Sequence, residues 1–263
     1  MAQLEPVHPG LTFSGPAVRR IGEADLNWAL AEGWKDFKAK RGDLLLVALI
    51  YPLVAFLAAA MSFNASLLPM FFPLVAGLSI LGPAVASGYY ELARRREAGL
   101  DSSWVHFLDP LRGRSQMGLA VLTVGLLGLF GAWLLAASTI YGATLGAAAP
   151  TGGADFLRRV FTTQEGWTMI LVGNLVGLVF AVATLVLGLV SFPMIVDRPA
   201  DPASALATSV RAVLKNPAAT ASWGLRVAVI LAIGCAPAFI GLAVALPVLG
   251  YASWHLYTRL VVR

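Results

Sequence analysis

The chain has 263 residues, of which 58% are hydrophobic and 13% charged, with a mean hydropathy of +0.77. Soluble domains carry about twice that charged share, so the composition excludes a water-coated globule and points to a lipid bilayer. The pI near 9.7 is no argument for nucleic acid, because the basic residues sit beside apolar stretches, where anionic headgroups are the simpler partner.

The first 42 residues are polar and lack an early apolar core, so no cleavable signal peptide is expected. Residues 1–23 read as a flexible cytoplasmic tail and 24–263 as one membrane domain. Leu30, Trp34 and Phe37 then recur at helical spacing, flanked by Lys35, Lys38 and Lys40, as an amphipathic segment expects. Six stretches long enough to cross a bilayer follow, at 44–62, 67–90, 117–144, 167–196, 218–236 and 238–258. They are read as helices, because a backbone facing lipid must satisfy its own hydrogen bonds and no barrel-type alternation is present.

Residues 63–66 join the first two spans tightly, and the last two nearly touch around Cys235–Pro237. The middle pair is joined by a longer segment containing Gly152, Gly153, Arg158 and Arg159. Trp104, Leu108 and Leu111 precede the second hairpin at the spacing of the first amphipathic segment, and Leu206, Val210 and Val213 precede the third. Such segments suit the cytoplasmic interface; short soluble helices packed on the bundle are the alternative.

The expected fold is therefore all-α and integral to the membrane. Six transmembrane helices form three hairpins, each preceded by a short cytoplasmic amphipathic helix. Repeat units of about 24–93, 101–196 and 202–262 predict a pseudo-threefold arrangement. Pro83, Pro193 and Pro247 mark equivalent kinks in the second helix of each hairpin. Glu91 and His255 share one offset from their prolines, and Arg95 and Arg259 another. Lys and Arg number 16 on one set of connections and termini against 2 on the other, which places both termini in the cytoplasm.

Candidate chemistry is sparse. Arg226 is the one charge well inside a span; it reads either as an anion or headgroup site or as a side chain that snorkels or pairs with Glu91 or Asp197. His255 reads as a hydrogen-bonded histidine beside an aromatic belt of Trp254 and Tyr257, with metal ligation the weaker reading. Gly173, Gly177 and Ala181, with Gly142 and Gly146, predict close helix packing. Glu23, Asp25, Glu32 and Asp36 read as a solvated helix face. One cysteine permits no internal disulfide, and neither metal-ligand spacing nor a catalytic motif occurs. No metal, cofactor or catalytic residue is expected.

Several motifs together resemble a family of bacterial integral-membrane proteins, domain of unknown function 2189. They are Ser191–Arg198 (SFPMIVDR), Ala207–Pro217 (ATSVRAVLKNP), Pro247–Tyr257 (PVLGYASWHLY), Gly82-Pro83, Gly88–Leu92 (GYYEL) and Thr163–Trp167 (TQEGW). Tyr251 departs from the pattern, which has histidine there. The resemblance implies a multi-pass inner-membrane protein with no established activity. Relatives labelled as cytochrome oxidase subunits imply at most an accessory association with a respiratory complex, since three histidines are too few for the oxidase's haems and copper.

The functional expectation is an accessory, scaffold or assembly factor of a membrane complex. The alternative is a transporter or lipid-binding protein with a cavity lined by Arg226, Glu91, Asn174 and His255. A third reading, a membrane enzyme, needs a cytoplasmic cleft gathering His255, Glu91, Asp197 and Arg198.

Overall fold

The computed structural model describes residues 15–39, 53, 57, 67–147, 150–237 and 239–263. Most of the first expected span, 44–62, and most of the expected tail lie outside them. Helix α1 spans Glu23–Ala39; α2 (Leu68–Leu78), a 3₁₀ turn (Ser79–Leu81) and α3 (Gly82–Glu97) form one long rod. A 3₁₀ helix at Trp104–Leu111 precedes α4 (Gln116–Thr144). Then come α5 (Gly153–Thr162), α6 (Gln164–Gly188), α7 (Ser191–Asp197), α8 (Pro202–Lys215), α9 (Pro217–Cys235) and α10 (Leu242–Leu260). Among the described residues there is no β-sheet, only an isolated bridge between Val18 and Val261.

Four rods are long and apolar enough to cross a membrane: Leu68–Glu97, Gln116–Thr144, Gln164–Asp197 and Pro217–Cys235. Their outward side chains, among them Phe72, Val124, Leu135, Leu175 and Leu225, are exposed, as lipid-facing residues must be. Helix α10 coincides with the sixth expected span but falls outside these four. Eleven of its 19 residues are buried, packed against α1, α3 and α9. A helix sheathed by other helices can carry His255, Ser253 and Tyr257 without exposing them to lipid. Helices α3, α7 and α10 touch one another and form the middle of the bundle.

Two expected kinks prove to be breaks that lie before their prolines. The 3₁₀ turn interrupts the first rod, and Pro83 starts α3, where its missing N–H costs nothing. The third rod breaks at Leu189–Val190, and Pro193 stands in the first turn of α7. Pro247 alone lies inside its helix. At the second break a side chain replaces the lost backbone bond. The Val190 amide donates to the Ser209 hydroxyl at 3.1 Å, and that hydroxyl donates to the Val186 carbonyl at 2.7 Å. In an unbroken helix those two backbone groups would bond each other. The breaks also meet, because a Cβ on Gly188 would lie 2.5 Å from the Pro83 ring.

The glycines that allow close packing are not the expected ones. Gly173 and Gly142 face open space, Gly146 lies past the end of α4, Gly177 makes one contact, against Trp133, and Ala181 is exposed. Gly33 instead lets α1 approach the α10 backbone, where a Cβ would meet the Ala252 amide at 2.6 Å. Gly77 admits the Phe130 and Trp133 rings, and the Trp133 indole donates to the Pro73 carbonyl at 2.8 Å.

The amphipathic segments differ from expectation in register. In α1 the buried face is Leu26, Ala29, Gly33 and Asp36, while Trp34 is exposed beside Phe37. In α8 it is Ala205, Thr208, Ser209 and Ala212, with Leu206, Val210 and Val213 half-buried alongside. The middle segment is a 3₁₀ helix, whose three-residue period turns Trp104, Phe107 and Pro110 inward. Val105, Leu108 and Leu111 are left on an exposed apolar face.

The two ends of the bundle differ. At the far end Leu68 lies beside Gly153 and the Arg159 guanidinium donates to the Leu145 carbonyl. The connection between the middle spans, expected only as a long link, contains α5. At the other end the N-terminal segment is clasped by the C-terminus: Arg19 donates its amide to Leu260 and Val262 donates to Ala17. Buried Asn216 between α8 and α9 completes the clasp, accepting from the Ile21 amide and donating to the Arg19 carbonyl.

Candidate functional site

The densest polar chemistry lies at the clasped end, where α1, α3, α7 and α10 finish together. Helix α3 ends in Arg94, Arg95 and Arg96, whose charges suit the negative end of a helix. Its last carbonyls are closed by Gly99 at φ +68°, with Leu100 donating to Arg95 and Gly99 to Arg96. This left-handed cap turns the chain back so that the 3₁₀ helix lies against α3.

Glu91 is buried and receives two hydrogen bonds from Arg94, at 2.6 and 2.8 Å. Arg95 approaches it at 3.6 Å and reaches on into the 3₁₀ helix. There it meets Asp109 at 3.5 Å and His106 at 3.2 Å, and His106 lies 2.7 Å from Asp109 and 3.2 Å from Asp101. Hydrogen bonds from the Ser103 hydroxyl and amide hold the Asp101 carboxyl below the ordinary range.

His255 lies 2.9 Å from Asp36, and the second oxygen of Asp36 takes Arg96 at 2.8 Å. Asp36 is 6% exposed, so α1 holds its acid against α10 and α3 rather than in solvent. The reading of a solvated acidic face is thus corrected at this residue: three- and four-residue steps from Leu26 through Ala29 and Gly33 place Asp36 on the packed stripe. Trp28 makes an edge contact with the His255 ring and carries the Arg259 guanidinium at 4.0 Å. Trp254 and Tyr257 are fully buried and form no aromatic belt. The Tyr257 hydroxyl donates to Asp197 at 2.8 Å, and the Trp254 indole donates to Glu97 at 3.2 Å.

The remaining expected residues fall into place separately. Arg198 lies 3.5 Å from Asp197. Arg226 pairs with Glu23 of α1 rather than with Glu91 or Asp197. Asn174 is exposed on α6 and donates to the Ile170 carbonyl of its own helix. The expected lining of Arg226, Glu91, Asn174 and His255 is therefore not brought together. Among the described residues no group of three His, Cys, Asp or Glu is placed to hold a metal.

A family model described as "Predicted integral membrane protein (DUF2189)" matches residues 71–197. That is the family the motifs resemble. The match takes in Glu91, the 3₁₀ helix, both breaks and Asp197, while α8, α9 and α10 with His255 lie beyond it. No curated protein and no solved structure matches the chain. The protein is an integral membrane protein.

Sequence reasoning missed Asp36, Arg96, Glu97, His106 and Asp109. Asp36 had a usable signal, the spacing of small residues before it. Arg96 and Glu97 depend on contacts between segments far apart in the chain, whereas His106 and Asp109 stand three residues apart and their pairing is local.

Proposed function

We propose that the chain is a non-catalytic protein of a bacterial inner membrane, an accessory, scaffold or assembly factor of a membrane complex. The observation that carries this reading is the state of its charges. Glu91, His255, Asp197 and Arg226 each bond to a charged or tyrosyl partner within the chain. A general acid, base or ion-coupling group needs a path to its substrate, whereas pairs such as His255–Asp36, Tyr257–Asp197 and Arg226–Glu23 join different helices and fix their relative positions. The transporter reading loses support because its four lining residues bond elsewhere.

The membrane topology belongs to the same proposal: six crossings, both termini in the cytoplasm. Four rods and α10 supply five. Asp36, near the end of α1, bonds to residues at the clasped end, while Leu68 lies beside Gly153 at the far end. The sixth, expected at 44–62, falls almost wholly outside the described residues. Arg94, Arg95, Arg96, Arg114, Arg198, Lys215 and Arg263 belong to the clasped end, and the far end carries Arg158 and Arg159, which favours a cytoplasmic clasped end beside anionic headgroups. The threefold repeat draws support from α3, α7 and α10 meeting at the middle. It also draws support from Arg95 and Arg259, which each reach the amphipathic segment of the next unit around the ring.

Gentle purification from native-level expression, with quantitative identification of co-purifying proteins, tests the reading. A stoichiometric membrane-protein partner is expected. Recovery of the chain alone under several mild detergents rejects the scaffold role.

A further inference from the structure

A crevice of about 300 Å³ opens at the clasped end between α4, α7 and the start of α8, lined by Arg114, Gly118, Ile195, Arg198 and Asp201. Its floor is tight, because a Cβ on Gly118 would lie 3.0 Å from the Ile195 side chain. Two guanidiniums border it. Arg114 donates to the Asp197 backbone carbonyl at 3.1 Å, and it ion-pairs with no carboxylate among the described residues. Arg198 is held only loosely, at 3.5 Å from Asp197 and 3.4 Å from the Val262 carbonyl. The Asp197 carboxylate is already engaged by Tyr257 at 2.8 Å and by Arg263 at 3.6 Å. Two positive groups thus face one opening with little internal neutralisation, and guanidiniums are the side chains best suited to phosphate oxygens.

The lining also includes an acid, Asp201. Asp201 caps α8, and hydrogen bonds from the Ser204 hydroxyl and amide and the Ala203 amide keep its carboxylate ionised. A simple anion gains nothing from this group, whereas a ligand that carries an ammonium beside its phosphate does. Below the crevice, α4 enters the apolar zone. Gly125 stands two turns beyond Gly118 on the same helix face, a Cβ there would meet no heavy atom within 4 Å, and Val121 between them is exposed. The surface there is shallow enough for an acyl chain.

We propose that this crevice binds one phospholipid with an amino headgroup. The phosphodiester lies between Arg114 and Arg198, the ammonium toward Asp201, and an acyl chain along Gly118–Gly125. The inference rests on the membrane placement proposed above and is independent of whether a protein partner exists.

The test is native mass spectrometry and lipid extraction of the full chain in mild detergent, titrated separately with phosphatidylethanolamine, phosphatidylglycerol, phosphatidylcholine and inorganic phosphate. One tightly retained phosphatidylethanolamine is expected, weakened about tenfold in Arg114→Gln and in Arg198→Gln, the loss of one charge-assisted contact. Asp201→Asn should erase the preference over phosphatidylglycerol. Gly125→Leu, at a position with open space, should weaken lipid retention while leaving the melting profile unchanged. Retention equal in wild type and both arginine variants overturns the site. Binding of inorganic phosphate as tight as that of lipid reassigns it to a soluble phosphate and overturns the lipid. Preference for phosphatidylglycerol unaffected by Asp201→Asn overturns the amino headgroup. The readout does not depend on which side the termini face, so a failed topology and a failed site are told apart.

Discussion

At the scale of the residue, a few buried or half-buried charges join helices. Asp36 bridges three of them, since it sits on α1 and bonds to His255 of α10 and Arg96 of α3. Removing one member of a buried, hydrogen-bonded set strands the others. Asp36→Ala is expected to cost about 3 kcal/mol, read as a lower midpoint of unfolding in detergent. In a double-mutant cycle with His255→Ala the two losses should not add; additive losses would mean that the pair is not coupled. Asp36 was legible in part: its spacing from Gly33 places it on the small-residue face, yet its charge invited a solvent-facing reading. His255 could be singled out from the sequence, whereas its partner 219 positions away could not. Arg226 is a similar case. A charge inside a span announces that it has a partner, but which acid it finds depends on how α1 lies across α9.

At the scale of the element, the spans were legible because lipid imposes a composition on every helix that faces it. Breaks inside them were not, because a break is tolerated only where a neighbour replaces the lost bond. Pro193 hints at the interruption, but Ser209 on α8 makes it stable. Ser209→Ala leaves the Val190 amide and the Val186 carbonyl unsatisfied in a buried site, at a cost of about 1–3 kcal/mol; hydrogen exchange at the α6–α7 junction should rise in that variant, and no change would remove Ser209 from this role. Asp201 gives α8 a pH-dependent start. Its carboxyl pKa is lowered in the folded chain, so the stabilisation is complete above the ordinary carboxylate range and disappears as pH falls through the depressed value. Exchange of the Ala203 and Ser204 amides should quicken at the acid end, and Asp201→Asn should remove that dependence. The 3₁₀ helix shows the limit of reading periodicity. The spacing of Trp104, Leu108 and Leu111 fits an α-helix, but a three-residue period puts Trp104 on the inner face with Phe107.

At the scale of the whole molecule, the bundle has one end rich in arginine and one end nearly without it. Single cysteines placed at Ala98 and Gly152 in a Cys235→Ser background should react with impermeant reagents from opposite sides of the membrane, Ala98→Cys from the cytoplasm and Gly152→Cys from outside. Labelling of both from one side would dismantle the six-crossing topology. The distribution of basic residues made this asymmetry visible in the sequence. What it could not convey is that the largely buried α10 is the helix around which α1, α3 and α9 gather.

The clasp between the two chain ends carries a consequence for how the protein is made. Helix α1 emerges from the ribosome before the other described helices, but its main packing surface is α10, which emerges after them. Until then Gly33 has no Ala252 to meet and Asp36 no His255. Residues 15–21 likewise wait for Leu260, Val261 and Val262. The bundle therefore closes only when Leu260, Val261 and Val262 meet residues 17–19, and a chain cut short at Arg259 should insert its spans and dock α1 on α10 yet leave residues 15–21 open to proteolysis.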